Sequence, residues 1–129
     1  MLFYFYNCFN LFFSKGVPFQ PKGIKIVEKQ CGKFKITWFP DTLDSGGGPT
    51  RGFQVRIREN TGQWFNCTNF LPNNSCLLKD LQNKTKYDIQ VRAINQKGPG
   101  EWAVKTKTTG VIGKCTHLES LNAELPLNR

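Results

Sequence analysis

The segment from Tyr87 to Ala93 alternates apolar and polar side chains without interruption. Its odd-numbered residues are apolar, and its even-numbered residues, Asp88, Gln90 and Arg92, are polar or charged. A period of two is typical of a β-strand with one buried face, because successive side chains of a strand point to opposite faces. This segment therefore predicts a strand that turns one face toward a hydrophobic core.

Similar segments recur along the chain between turn residues. "KFKITW" and "FQVRIRE" alternate in the same way, and weaker candidates follow in "GIKIV", "QWFNC", "SCLLKDL" and "AVKTKTT". Glycine-rich or polar stretches such as "DTLDSGGGPT" and "NTG" separate them. Short strands at intervals of roughly ten residues, without any helical period, are typical of an antiparallel sandwich. The sequence predicts an all-β protein with seven strands.

The length of the chain suits one domain with two tails. A chain of 129 residues, 39% of them hydrophobic, can bury one compact core. We expect the domain at 17–110, a signal-like or stray extension at 1–16, and a linker or disordered tail at 111–129. The apolar run near the N-terminus is too short to span a bilayer, which takes about 20 apolar residues. We expect membrane attachment only through an anchor segment that is missing from this chain.

The cysteines and the sequons indicate an oxidising environment. None of the five cysteines has the Cys-x-x-Cys spacing of thiolate metal sites and redox motifs, so disulfide bonds are the leading interpretation. N-glycosylation sequons begin at Asn66, Asn73 and Asn83. Sequons and disulfides together predict a secreted or cell-surface protein.

The chain offers little for catalysis. Its only histidine, His117, lies in the C-terminal tail, which leaves none in the domain for a catalytic triad or a multi-histidine metal site. We therefore expect neither an enzyme nor a bound cofactor or metal.

Several motifs occur in an order that resembles one known family. Leu81 stands six residues before Tyr87, Trp38 lies in the second strand, and glycines and Trp102 follow the strand that begins at Tyr87. From Pro18 to Gly110 the chain resembles a fibronectin type III domain. The resemblance implies an immunoglobulin-like, seven-stranded antiparallel β-sandwich with fibronectin type III topology.

The resemblance also assigns structural roles to three residues. It implies that Trp38 fills the core and that Leu81 seals its base. Tyr87 is expected to form a tyrosine corner, in which the ring is buried and the hydroxyl bonds to the main chain. An immunoglobulin domain proper is disfavoured, because Ile89 stands where its cysteine would follow the tyrosine.

The family topology further suggests disulfide pairs. It places Cys67 near Cys76 at one end of the sandwich, and Cys31 near Cys115 at the other. The alternative is that Cys67 and Cys76 are free, partly buried thiols.

A basic face is the main binding candidate. If the third, sixth and seventh strands share a sheet, as in this family, five basic residues could project together: Arg56, Arg58, Arg92, Lys105 and Lys107. Such a face could bind heparan sulfate or an acidic protein. The alternative is an ordinary solvated surface. Nucleic acid is disfavoured, because no aromatic residues interleave with the basic ones on this face.

The loops at one end of the sandwich offer two further contact candidates. Phe70 and Trp102 are the aromatic side chains that could anchor a partner there, although both could instead pack on the sandwich.

The resemblance predicts a non-catalytic extracellular protein-binding or spacer module of an adhesion or cell-surface receptor protein. Three alternatives stay open. The chain could be a secreted heparin- or glycan-binding module, or an ectodomain fragment of a receptor tyrosine kinase or phosphatase. The third alternative is an intracellular structural module.

Overall fold

The computed structural model describes residues 16–39 and 44–113. Eight strands form in this part of the chain. In chain order they are β1 (Lys25–Lys29), β2 (Lys33–Thr37), β3 (Gly52–Glu59), β4 (Phe65–Leu71), β5 (Ser75–Leu78), β6 (Lys86–Asn95), β7 (Gly98–Pro99) and β8 (Ala103–Thr108).

The strands form two antiparallel sheets. One sheet has three strands in the order β1-β2-β5. The other has five: β4, β3, β6 and β7 follow one another, and β8 also pairs with β6. The predicted all-β sandwich is confirmed. The strand beyond the expected seven is β7, which has only two residues and pairs with the end of β6.

The inward faces of both sheets build one core. Trp38 packs edge-on against Phe53 at 5.2 Å between ring centroids, and Phe34 packs in the same way against Tyr87 at 6.0 Å. Alternate residues of β6 complete this core, since every odd-numbered residue from Tyr87 to Ala93 is buried. Burial of this face is what the alternation in the sequence predicts.

Tyr87 forms the expected corner. Its hydroxyl accepts a hydrogen bond from the backbone N–H of Gln82 at 2.6 Å and donates to the Glu59 carboxylate at 3.3 Å. Leu81 packs against the core beside it. Both polar capacities of the phenol are therefore used while its ring stays in the core.

The turn between β1 and β2 requires left-handed backbone. Cys31 and Gly32 have φ values of 64° and 68°. A Cβ at Gly32 would come within 2.7 Å of the Leu81 carbonyl oxygen, so the turn needs glycine for space as well as for conformation. This turn packs against the segment that leads to the tyrosine corner.

The expected bridge between Cys67 and Cys76 is absent from the structure, where both residues are free thiols. Cys76 lies on β5 and packs against the core. Cys67 lies on β4, at a register shift where Val55 pairs with Thr68 and Arg56 pairs with Asn66. Cys67 is thus the extra residue of a β-bulge, which re-aims a side chain and interrupts the ladder. Family topology alone does not reveal that bulge.

The other expected pair is described only in part. Cys31 is disulfide-bonded. Its expected partner, Cys115, lies outside the described residues, as do most of the two predicted tails, so the pairing of Cys31 with Cys115 stays a prediction.

Candidate partner-binding face

The outward face of β3 and β6 pairs each arginine with an acceptor directly across the sheet. The register places Arg56 opposite Gln90 and Arg58 opposite Asp88, and Arg92 lies opposite Gln54. Each arginine donates its Nε–H to the side chain opposite it, at 2.5 Å for Arg56, 2.9 Å for Arg58 and 2.8 Å for Arg92. Cross-strand side chains on one face lie close enough for such pairs. The register of the two strands thus places an acceptor opposite each of the three guanidinium groups.

Two tryptophans from outside these strands lie among the guanidinium groups. The Trp102 ring centroid is 4.1 Å from the Arg56 guanidinium carbon and 4.2 Å from that of Arg92. The Trp64 centroid is 4.7 Å from that of Arg56 and 4.6 Å from that of Arg58. Arginines and tryptophans therefore alternate in space. We call these five side chains the arginine–tryptophan ladder; in order they are Arg92, Trp102, Arg56, Trp64 and Arg58.

The ladder concentrates positive charge. Desolvation, and then the neighbouring Arg58, lower the pKa of Arg56. Desolvation, and then the neighbouring Arg56, also lower the pKa of Arg92. The π-face of an indole attracts a cation, so the tryptophans offset part of the repulsion between these guanidinium groups.

Asp88 supplies the counter-charge and ties a third strand to the ladder. Its carboxylate accepts hydrogen bonds from Thr106 of β8 at 2.8 Å and from Arg58 of β3 at 2.9 Å. The Thr106 bond first, and then Arg58, hold the pKa of Asp88 below its usual value. One buried carboxylate therefore links strands β3, β6 and β8 on the outer side of the sheet.

The ladder is suited to binding because internal contacts restrain its long side chains. Immobilising a flexible side chain at an interface costs about 0.5 to 1.5 kcal/mol, and the internal contacts of the ladder reduce that cost. Tryptophan and arginine are also the residues most enriched among those that dominate interface energies. All five side chains remain partly accessible to solvent.

The expectation that Lys105 and Lys107 share this face is wrong. The register of β8 places Lys105 opposite Ile89 and Lys107 opposite Tyr87, both of which point into the core. Directly opposed residues lie on the same side of a sheet, so these two lysines lie on the other side from the ladder. Ala103 is buried opposite Val91, and this pairing determines which side chains of β8 lie on the core side of the sheet.

The sequence prediction that no aromatic residues lie among the basic residues of this face, which disfavoured nucleic acid, is also wrong. Trp64 and Trp102 do interleave with the arginines. Sequence reasoning had not assigned Trp64 to this face. One feature of the sequence could have indicated the position of these tryptophans. Each stands immediately before a strand, Trp64 before β4 and Trp102 before β8.

Of the two expected loop anchors, only Phe70 is exposed, at 52%. It lies on β4 and covers Gly52, where a Cβ would overlap its ring. Trp102 is half-buried in the ladder.

The three sequon asparagines are all exposed. Asn66 pairs with Arg56 in the register of β3 and β4, so a glycan there would border the ladder. The Asn83 Oδ1 accepts a hydrogen bond from the backbone N–H of Ile112 at 2.5 Å. Glycosylation at these positions stays a prediction.

Among the described residues, no group of three or more His, Cys, Asp and Glu side chains could hold a metal ion. None of the described segments forms a helix long and apolar enough to cross a membrane.

The family model described as "Fibronectin type III domain" matches residues 19–109. The chain belongs to the fibronectin type III family. That match includes all eight strands and the complete ladder.

Relatives of this fibronectin type III chain include Protein sidekick-2 of Mus musculus, 29% identical over 76% of this chain and 5% of that protein. The Titin homolog of Caenorhabditis elegans is 25% identical over 87% of this chain and 1% of that protein. The chain therefore spans only a small part of these relatives.

Solved structures show the same fold. The FN5 domain of Drosophila Lar has a TM-score of 0.58 at 23% identity, covering 73% of this chain and 98% of that one. The fn3 domain of the human collagen alpha-1(XX) chain has a TM-score of 0.64 at 19% identity, covering 78% and 93%. At these identities the likeness shows the fold alone.

Proposed function

We propose that this fibronectin type III module binds a protein partner through the arginine–tryptophan ladder, as part of an extracellular adhesion or receptor protein. The observation that carries the proposal is that two tryptophans and three arginines are held together by internal contacts while remaining partly accessible. A surface of this kind loses little conformational freedom when a partner binds.

Two observations support a location outside the cell. Asn66, Asn73 and Asn83 are all exposed, as glycan acceptors must be. Cys31 is disulfide-bonded, and structural disulfides persist mainly in oxidising compartments.

The proposed role is not catalytic. Asp88 is the acid on this face, and its hydrogen bonds from Thr106 and Arg58 favour the ionised form. A general acid or base working near neutral pH needs a pKa shifted in the opposite direction. Asp88 is thus suited to holding the ladder in place.

The test is binding of the secreted full chain to the surface of cultured cells, measured by flow cytometry. Arg56→Glu removes the central cation of the ladder, and Lys105→Glu makes the same charge change on the other side of the sheet. We expect the first variant to lose binding and the second to keep it. Equal loss in both would mean that net charge alone attracts the chain, and would refute the proposal.

Enzyme treatment of the cells separates protein from glycan partners. We expect brief protease treatment to abolish binding and heparinase to leave it unchanged. The reverse pattern would favour the heparan sulfate alternative and refute a protein partner.

A second candidate is an intracellular structural module, which the match to the Titin homolog of Caenorhabditis elegans supports. Peptide-N-glycosidase F treatment of the parent protein from its native source separates the two. A mass decrease, with Asn converted to Asp at a sequon, would support the extracellular module. No change would support the structural one.

A further inference from the structure

One of the three sequons lies on the same side of the five-stranded sheet as the ladder. Asn66 of β4 is the register partner of Arg56 on β3. Val55 and Ile57, on either side of Arg56, pack in the core, so Arg56 itself points outward. Directly opposed residues lie on the same side of a sheet, with Cβ atoms about 5 Å apart. The Asn66 side chain therefore leaves the sheet on the outer face, beside Arg56.

Asn66 is also close to Trp64 along the chain. Trp64 stands two residues before Asn66, and its ring centroid lies 4.7 Å from the Arg56 guanidinium carbon. Arg56 contacts both Trp64 and Trp102. The Asn66 side chain is thus next to the centre of the ladder and next to one of its two tryptophans.

The Asn66 amide is available for modification. Asn66 is exposed, and its side chain forms no hydrogen bond within residues 16–39 and 44–113. Cys67, the middle residue of its sequon, is a free thiol, and Thr68 completes the acceptor pattern. In contrast, the Asn83 Oδ1 accepts a hydrogen bond from the backbone N–H of Ile112. A glycan on Asn66 therefore requires no internal contact of its side chain to be lost.

The other two sequon asparagines are not paired with the ladder. Asn83 lies in the loop before β6, and Asn73 lies in the loop between β4 and β5. Asn74, the neighbour of Asn73, forms two hydrogen bonds with the main chain of Trp38, at 2.8 and 3.2 Å. Trp38 directly follows β2, so Asn73 borders the three-stranded sheet. Of the three, Asn66 is the one whose register partner belongs to the ladder.

We propose that an N-linked glycan on Asn66 covers the Trp64 side of the ladder and prevents a partner protein from binding there. The occupancy of this one sequon would then control binding by the module. The proposal rests on the ladder being the binding surface. A partner must exclude water from Trp64 and Arg56 to gain from contact with them. A bulky, hydrated glycan joined to the neighbouring side chain occupies the same space.

The glycan should change access to the ladder and leave the ladder itself intact. The Trp64 ring already has two guanidinium neighbours, Arg56 and Arg58, at 4.7 and 4.6 Å from its centroid. We therefore expect the sugar to lie over the ladder and not to take the place of either arginine. β4 is an edge strand of its sheet, so a glycan can be accommodated without displacing another strand.

The first test compares two forms of one polypeptide. The variant Asn73→Gln/Asn83→Gln keeps Asn66 as its only sequon, and lectin affinity separates its secreted glycan-bearing form from its glycan-free form. Flow cytometry with cultured cells measures the half-maximal binding concentration of each. We expect the glycan-bearing form to need an at least about tenfold higher concentration, because Trp and Arg side chains dominate interface energies.

A matched control places the glycan elsewhere. The variant Asn66→Gln/Asn83→Gln keeps Asn73 as its only sequon, beside the three-stranded sheet. Its two forms should differ less than about threefold in the same assay. If a glutamine variant does not fold, serine or threonine of the unwanted sequon is replaced by alanine, as in Ser75→Ala/Thr85→Ala.

Hydroxyl-radical footprinting tests the covering directly and without a partner. Mass spectrometry of the digested glycan-bearing and glycan-free forms measures the oxidation of each tryptophan. We expect the glycan to reduce the oxidation of Trp64, and to reduce that of Trp102 less, because Trp102 lies on the far side of Arg56 in the ladder. Phe39, which is 66% exposed and follows β2, is the reference and should be unchanged.

Two results would overturn this proposal alone. The first is that the lectin retains none of the variant whose only sequon is at Asn66. The second is equal oxidation of Trp64 in both forms, or equal cell binding of both forms when Arg56→Glu abolishes binding. The Arg56→Glu comparison is made in the glycan-free form. If that form does not bind cells, or if Arg56→Glu leaves its binding unchanged, the ladder proposal fails and this one fails with it.

Discussion

The indole ring of Trp102 lies 4.1 Å from the guanidinium carbon of Arg56, although the two residues are separated by the whole of β4, β5, β6 and β7. Arg56 also contacts Trp64 and donates its Nε–H to Gln90. It is therefore the central member of the ladder, and its side chain connects segments from three parts of the chain.

Replacing Arg56 by Lys should show what the planar guanidinium contributes. Lysine keeps the charge but loses the flat group that stacks on both indoles. We expect the free energy of unfolding to fall by about 1 kcal/mol, the scale of a partly exposed cation–π contact. Urea denaturation followed by tryptophan fluorescence measures it. Arg51→Lys, at an exposed position next to β3, is the control, and an equal loss there would contradict the role assigned to Arg56.

Removal of the Tyr87 hydroxyl should destabilise the sandwich. Tyr87→Phe keeps the ring in contact with Phe34 but leaves the Gln82 N–H without its acceptor. We expect a loss of about 1 to 3 kcal/mol in the free energy of unfolding. Glu59→Gln retains an acceptor for the hydroxyl and should cost less. A Tyr87→Phe variant as stable as the parent would show that the corner bond contributes nothing.

Asp88 should make stability depend on pH in the acid range. Its pKa is lowered in the folded state by Thr106 and Arg58, so its contribution is present above the unfolded pKa of about 3.9. That contribution is lost as the pH falls through the folded pKa. We expect Asp88→Asn to be less stable than the parent at pH 7, with the difference shrinking below about pH 4. Denaturation curves across this range measure it, and a difference independent of pH would contradict the assignment.

The Cys76 thiol should react slowly. Desolvation raises the pKa of Cys76 to about 11, and desolvation together with the neighbouring Cys76 raises that of Cys67 to about 12. Because the thiolate is the nucleophile and Cys76 packs against the core, we expect iodoacetamide at pH 8 to label Cys76 of the native chain much more slowly than Cys76 of the urea-unfolded chain. Mass spectrometry of the digests measures both rates. Rapid native labelling of Cys76, or a peptide linking Cys67 to Cys76, would contradict the structure.

The sequence predicted the core because the core depends on local alternation, whereas the tyrosine corner was implied by the resemblance to the fibronectin type III family. The buried side of β6 follows from its period of two, and the outward positions of Arg56, Arg58 and Arg92 follow from the alternation within their own strands. Local alternation does not determine how strands align with one another. Lys105 and Lys107 were therefore placed on the wrong face, since only the pairing of Ala103 with Val91 sets the phase of β8.

Contacts between segments that are distant in the sequence were not predicted, because local alternation does not show which segments meet. Trp64 and Trp102 reach the ladder from the residues before β4 and β8, where no strand pattern indicates a direction. The bulge at Cys67 also becomes visible only when β3 and β4 are paired.

The central claim is that the ladder is ordered before any partner arrives, and NMR of the free chain tests it most directly. The Nε–H resonances of Arg56, Arg58 and Arg92 should be shifted upfield by the neighbouring indoles and protected from exchange by their acceptors. Arg51, outside the ladder, serves as the internal reference. Three shifted, slowly exchanging signals are the predicted result, and three signals that coincide with Arg51 would contradict the account.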